Sequence, residues 1–280
     1  MAKLRTRGVD KARQTVAGTF DRSAETYESV GVDFFKIFAH HLLTDVPLNP
    51  GSRVLDAGCG RGAVLFPAAA LVGPTGSVFG IDLSPAMVDR TAHEINARGL
   101  TNANAVVMDA QEPDLPPRSF DTILSSCVVF FLPDPIAGLR AWRDLLKPGG
   151  RLGVTTFCGN DPRWSAVEDV FRPNIPPAML WAMANPASPF ATTDTFHRAL
   201  ESVGYRHPTS KIRTHEITFT DPQQWITWSW SHGQRVFWEL IPRQDLPAAR
   251  SEVLARLEPL REPNGALRMC QQVRYTVAHR

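Results

Sequence analysis

The sequence has only four cysteines, Cys59, Cys127, Cys158 and Cys270, and none stands in a CxxC pair. That spacing argues against a zinc site and a disulfide framework, and for reduced thiols in a cytoplasmic protein. No apolar run approaches the roughly 18 residues that a membrane span needs. The basic start, with Lys3, Arg5, Arg7, Lys11 and Arg13, has no apolar stretch behind it and does not read as a signal peptide. Net charge is nearly lacking: 30 basic against 28 acidic residues leave +2, which gives no pull toward nucleic acid or an anionic membrane. Only 5 of the 30 basic residues are lysine, a bias of coding composition and not a function. Repeats and low-complexity tracts are absent as well. What remains is a globular composition, 43% hydrophobic and 21% charged over 280 residues, suited to one domain with or without a sizeable insertion.

Residues 1–19 read as a basic, flexible tail. Apolar residues at helical spacing predict helices over 20–30 and 33–43, with Gly31 between them. A strand–helix alternation then sets in, which predicts βαβ units and a parallel sheet. Strands are expected at 52–57, 77–82, 103–108, 119–127 and 151–157, and helices at 64–72, 85–98 and after Asp134. Ser84 and Asp134 are N-caps, each followed by a proline at the first helical position. After Cys158 the rhythm changes. Residues 160–191 read as loops and short helices, 193–203 as a helix, 211–219 as a strand, 221–262 as helical and 268–278 as a last strand. The whole predicts an α/β, doubly wound, seven-stranded, mostly parallel sheet with a reversed final strand. A helical cap would come from the N-terminus, 160–190 and 221–262.

The most informative segment is Val54-Leu55-Asp56-Ala57-Gly58-Cys59-Gly60-Arg61-Gly62. Its glycines let a strand turn sharply into a helix and let a ligand approach bare backbone. The spacing is GxGxG, not the GxGxxG of a dinucleotide site. Asp82 ends the next strand, where a carboxylate accepts both hydroxyls of a ribose; the alternative is a helix-cap acid, a task Ser84 already fills. Asp109 ends the third strand, where it suits an adenine amine or is simply a loop acid.

Taken together, VLDAGCGRG, GIDLSPAMVDRT, MDAQEPDLPPRSFD and LKPGGRL resemble class I S-adenosylmethionine-dependent methyltransferases. The likeness is to the quinone-biosynthesis-like branch with many small-molecule methyltransferases of secondary metabolism, and it spans about residues 50–157. The resemblance implies a Rossmann-like methyltransferase domain over 46–280 and S-adenosylmethionine as cofactor. Gly58 and Gly60 would pass its methionine portion, Asp82 would hold its ribose, Leu83 and Met87 would flank its adenine, Asp109 and Ala110 would meet the adenine edge, and Ser125 would face the amino-acid end. Met87 is equally a core residue by helical spacing. Asp56 is expected to brace the loop. The N-terminal helices over 20–45 would form a lid, with Tyr27 closing over the cofactor.

Many relatives carry two histidines where this chain has Phe130 and Phe131, and no amine-methylating Asn-Pro-Pro-Tyr or Asp-Pro-Pro-Tyr stands there. No catalytic residue is therefore assigned. Tyr27 and His232 are the candidates, while His197, His207 and His215 are expected at the surface. Phe130, Phe131 and Trp228 are assigned to the acceptor pocket, against the alternative that they only fill core. A hydrophobic small-molecule acceptor follows, with carbon methylation slightly ahead of oxygen because an electron-rich carbon needs no base. No metal and no nucleic-acid partner are expected, and a homo-oligomer is allowed. The rivals are a nucleic-acid or protein methyltransferase, and a cofactor-binding fold reused as a cyclase or scaffold.

Overall fold

A computed structural model describes residues 2–280, with side chains from Arg13 onward. Seven strands form one sheet: β1 (Arg53–Ala57), β2 (Ser77–Asp82), β3 (Ala103–Val107), β4 (Phe120–Ser126), β5 (Leu146–Gly159), β6 (Arg206–Phe219) and β7 (Leu267–His279). Their order is β3-β2-β1-β4-β5-β7-β6. The β1–β2, β1–β4, β2–β3 and β4–β5 pairs are parallel, while β7 runs antiparallel to both β5 and β6. The central strands are buried on both faces, and β1 is buried from Val54 to Ala57. The doubly wound sheet and its reversed final strand are as expected.

Two helices precede the sheet, α1 (Ala2–Ser23) and α2 (Phe35–Asp45). The parallel half then carries α3 (Leu65–Val72), α4 (Pro85–Ala97) and α5 (Pro135–Leu145) as crossovers. Ser84 Oγ accepts from the Met87 amide, and Asp134 caps α5 through the Ala137 amide, so both expected caps hold. Beyond β5 come α6 (Ser165–Glu168), α7 (Pro177–Ala184) and α8 (Thr193–Ser202). Between β6 and β7 lie α9 (Pro222–Trp230), α10 (Arg235–Glu239) and α11 (Leu246–Leu257).

The N-terminus differs from the tail expected over 1–19. It is one helix to Ser23, and residues 24–28 are turns rather than helix; the side chains of Lys3, Arg5, Arg7 and Lys11 lie outside the described residues. The helix is held by specific partners and not by propensity. Asp21 accepts from Ser84 Oγ at 2.5 Å and from the Ala86 amide at 3.1 Å, and so reinforces the N-terminus of α4. Arg22 pairs with Glu239 of α10 at 2.5 Å. Thus α1 joins the α9–α10 cap across the carboxyl ends of the parallel strands. The tryptophans of the cap are mainly a packing layer: Trp225, Trp228 and Trp238 are buried, and Trp230 stacks on Trp238.

Candidate functional site

The carboxyl ends of β1, β2 and β4 enclose a narrow cavity of about 90 Å³. This is where ligands bind in open α/β sheets. Gly58, Gly60, Asp82, Leu83, Met87, Asp109 and Ala110 all line it, so three separate segments of the chain are thereby brought together. Gly58 and Gly60 have φ of +83° and +48°, the left-handed region that favours glycine. The two differ in surroundings. A Cβ at Gly58 would overlap Val128, whereas one at Gly60 would meet nothing within 4 Å and would only fill the cavity.

Asp82 is set by the loop around it. Its Oδ2 accepts from the Gly60 amide at 2.8 Å and its Oδ1 from the Ser84 amide at 2.9 Å. Each oxygen keeps a further lone pair for a ligand hydroxyl. Burial raises its pKa, opposed by those amides. Asp109 Oδ1 accepts from the Gln111 amide at 2.8 Å, while its Oδ2 is 2.6 Å from Arg13 Nε. The Ala110 carbonyl is taken by Trp142 Nε1 at 2.6 Å.

Asp56 was expected to brace the turn, yet neither of its oxygens meets a donor at hydrogen-bonding geometry. Burial, then the Asp82 charge, pushes its pKa up to about 8, and the Leu65 amide relieves this only in part. A proton-holding acid thus sits beneath the glycine turn. The turn is tied instead by Thr91 Oγ1 to the Gly60 carbonyl and by Arg61 to the Ala24 carbonyl.

Ser125 is not part of the cavity. It is fully buried and its hydroxyl donates to the Ala57 carbonyl, because alternation along β4 turns it into the sheet and turns Ser126 out. Ser126, Cys127, Val128, Leu132 and Pro133 line the wall in its place. Cys127 adopts φ +59° at the strand end, and its amide donates to Thr155 Oγ1 at 2.9 Å. Burial pushes its thiol up to about 12.

Tyr27 and Phe20 line the cavity as the lid reading requires, with Phe20 edge-on to Phe131 at 5.4 Å and Tyr27 stacked on Phe35 at 5.1 Å. Burial raises the Tyr27 hydroxyl well above its usual pKa. Phe131 lines the cavity but Phe130 does not; Phe130 packs on Phe131, Phe157 and Phe190. Trp228 is also outside it, buried against Phe34, Phe219 and His232. His232 is buried there too. Desolvation holds it down to about 3, and its Nδ1 meets no partner. His215 is buried rather than exposed, bonded to the Tyr275 hydroxyl at 2.7 Å under α2. Sequence reasoning missed Arg13 and Val16. With Phe20 they fall at i, i+3 and i+7, one helical face, a pattern hidden once 1–19 was read as a tail.

Residues 48–204 match the family described as "Methyltransferase domain". The chain belongs to that methyltransferase family. It is 40% identical over 189 residues to the aklanonic acid methyltransferase of Streptomyces sp. (strain C5), covering 68% of this chain and 86% of that protein. It is 36% identical over 249 residues to the nocamycin O-methyltransferase of Saccharothrix syringae, covering 85% and 88%. Among solved structures, a phosphoethanolamine N-methyltransferase of Haemonchus contortus superposes with a TM-score of 0.58 at 17% identity, covering 93% of this chain and 57% of that one. That likeness is of the fold. The protein is an S-adenosylmethionine-dependent methyltransferase, as the sequence motifs implied, and the bare backbone at Gly60 and the spare acceptors of Asp82 are groups of the kind that would hold that cofactor. Among the described residues no helix is long and apolar enough to cross a membrane, and no cluster suits a metal ion.

Proposed function

We propose that this methyltransferase alkylates an oxygen of an apolar small molecule of secondary metabolism, and that this oxygen is acidic enough to arrive ionised: a carboxylate, or an acidic enol or phenol. S-adenosylmethionine, held by Gly58, Gly60, Asp82, Leu83, Met87 and Asp109, supplies a methyl group already activated on a sulfonium. The observation that carries the reading is that, among the described residues, no free base lines the cavity wall. Cys127 keeps its proton to about 12, burial also raises the Tyr27 hydroxyl well above its usual value, and His232 lies outside the cavity and stays neutral. Asp82 and Asp109 are already engaged. An acceptor that needs no deprotonation suits such a wall, because positioning then supplies much of the rate.

The carbon preference drawn from the same missing histidines finds no support among the relatives. One is named for an O-methylation and the other for an acid. An ionised oxygen answers the lack of a base as well as an electron-rich carbon does. Phe20, Tyr27 and Phe131 would close over the methyl and exclude water. The test is to run turnover with methyl-¹³C-labelled cofactor on apolar aromatic acids and enols and to read the carbon shift of the transferred methyl. A methyl bound to oxygen is expected; a methyl bound to carbon removes the proposal.

A further inference from the structure

Arg274 is 2% exposed, yet no carboxylate pairs with it. Its Nη1 donates to the Phe190 carbonyl at 3.1 Å and its Nε to Thr193 Oγ1 at 3.2 Å. A guanidinium has five N–H groups; among the described residues Nη2 has no partner, and it is not sealed from solvent. Thr156 lies directly opposite on β5, fully buried, and its hydroxyl also has no partner. An anion held between the two would answer both the open Nη2 and the unpaired hydroxyl.

The place of this pair in the sheet says which anion. Ser126 at the end of β4 is level with Thr155, so Thr156 and Arg274 stand one residue further along at the carboxyl edge of the sheet, on the face that Ser125 and Val154 share. They lie on the far side of β4 from β1, β2 and β3, which carry the cofactor residues. Two strand spacings, about 10 Å, separate β7 from β4. Aromatic rings bridge the interval: Phe131 lines the cavity, Phe130 lies 4.8 Å from it, and Phe190, whose carbonyl Arg274 holds, lies 6.5 Å from Phe130.

We infer that Arg274 and Thr156 form the anion-binding end of the acceptor site, gripping a carboxylate or similar anionic group on a flat, apolar acceptor whose other end reaches the methyl. This deepens the reading of an acidic, apolar acceptor and rests on it. Arg274 touches no reacting atom. Its role is to hold the acceptor at a distance, using remote binding to fix the reacting end. A fused two- or three-ring skeleton has the reach.

The test uses the protein saturated with S-adenosylhomocysteine, titrated with naphthalene-2-carboxylate and with the neutral naphthalene-2-carboxamide. The native protein should favour the carboxylate by about tenfold, the effect of one charge-assisted hydrogen-bond set. Arg274→Gln should remove the preference while leaving S-adenosylhomocysteine affinity unchanged, and Arg274→Lys should keep part of it. A merely structural arginine would change neither ratio. The inference is overturned if the native protein binds the two probes equally or binds neither, or if Arg274→Gln still discriminates. The native arm decides even where a variant folds poorly. Product analysis separates the two readings. A methyl on carbon with an Arg274-dependent charge preference sinks the oxygen assignment alone, and a methyl on oxygen without that preference sinks this site alone.

Discussion

Arg13 Nε and Asp109 Oδ2 lie 2.6 Å apart, so the first helix is pinned to the acid that ends β3, across the mouth of the cofactor cavity. The same guanidinium reaches Glu112 at 2.9 Å. Helix α1 therefore acts as a strap: Arg13 fastens one side to β3, Asp21 fastens it to α4, and Arg22 fastens it to the cap.

Cutting the first fastening should loosen the strap without unfolding the sheet. The pair is half-buried, and such pairs contribute about 1 kcal/mol. Arg13→Ala should therefore release S-adenosylhomocysteine about fivefold faster in stopped-flow displacement, with the melting temperature little changed. An unaltered release rate would show that α1 is packing and not a closure.

Asp82→Ala should weaken S-adenosylhomocysteine by about tenfold or more, because two ribose hydroxyls lose a charged acceptor worth roughly 1.5–3 kcal/mol. Asp82→Asn should fall between, since one oxygen remains to accept. Calorimetry that finds native affinity in a folded Asp82→Ala protein would take this residue out of the site.

Asp56 predicts a pH dependence. The unfolded chain loses this proton near 3.8 and the folded chain holds it to about 8. Between those values the folded state carries the extra proton, so the native protein should lose stability as pH rises from about 4 to 8. Asp56→Asn cannot titrate. Its advantage over the native protein should be near its minimum at about pH 4.5 and grow to a few kcal/mol by about pH 8, as read from urea unfolding of the cofactor-free protein. Parallel curves for the two proteins would disprove the raised pKa.

The sheet and the cofactor ground can be read from local spacing in the chain. Buried parallel strands must be apolar throughout and must be separated by capped helices, so 77–82 and 85–97 stand out in the chain, as do Ser84 and Pro85. The glycines and acids at strand ends are equally local signals, since φ above zero and a carboxylate at the carboxyl edge need particular residues at particular places. Features that depend on a partner far away in the chain become visible only in the fold. Residues 13–19 look like a solvated tail until Asp109, Ser84 and Glu239 are placed around α1. Ser125 and Ser126 are neighbours of one chemistry, and strand register alone turns the first into the sheet and the second to the cavity. Trp228 and His232 carry plausible pocket chemistry, yet packing under α2 buries them away from it. Arg274 is one arginine among 25 in the sequence, and only the fold reveals that it is buried with no carboxylate paired to it among the described residues, because burial and pairing are properties of contacts and not of spacing.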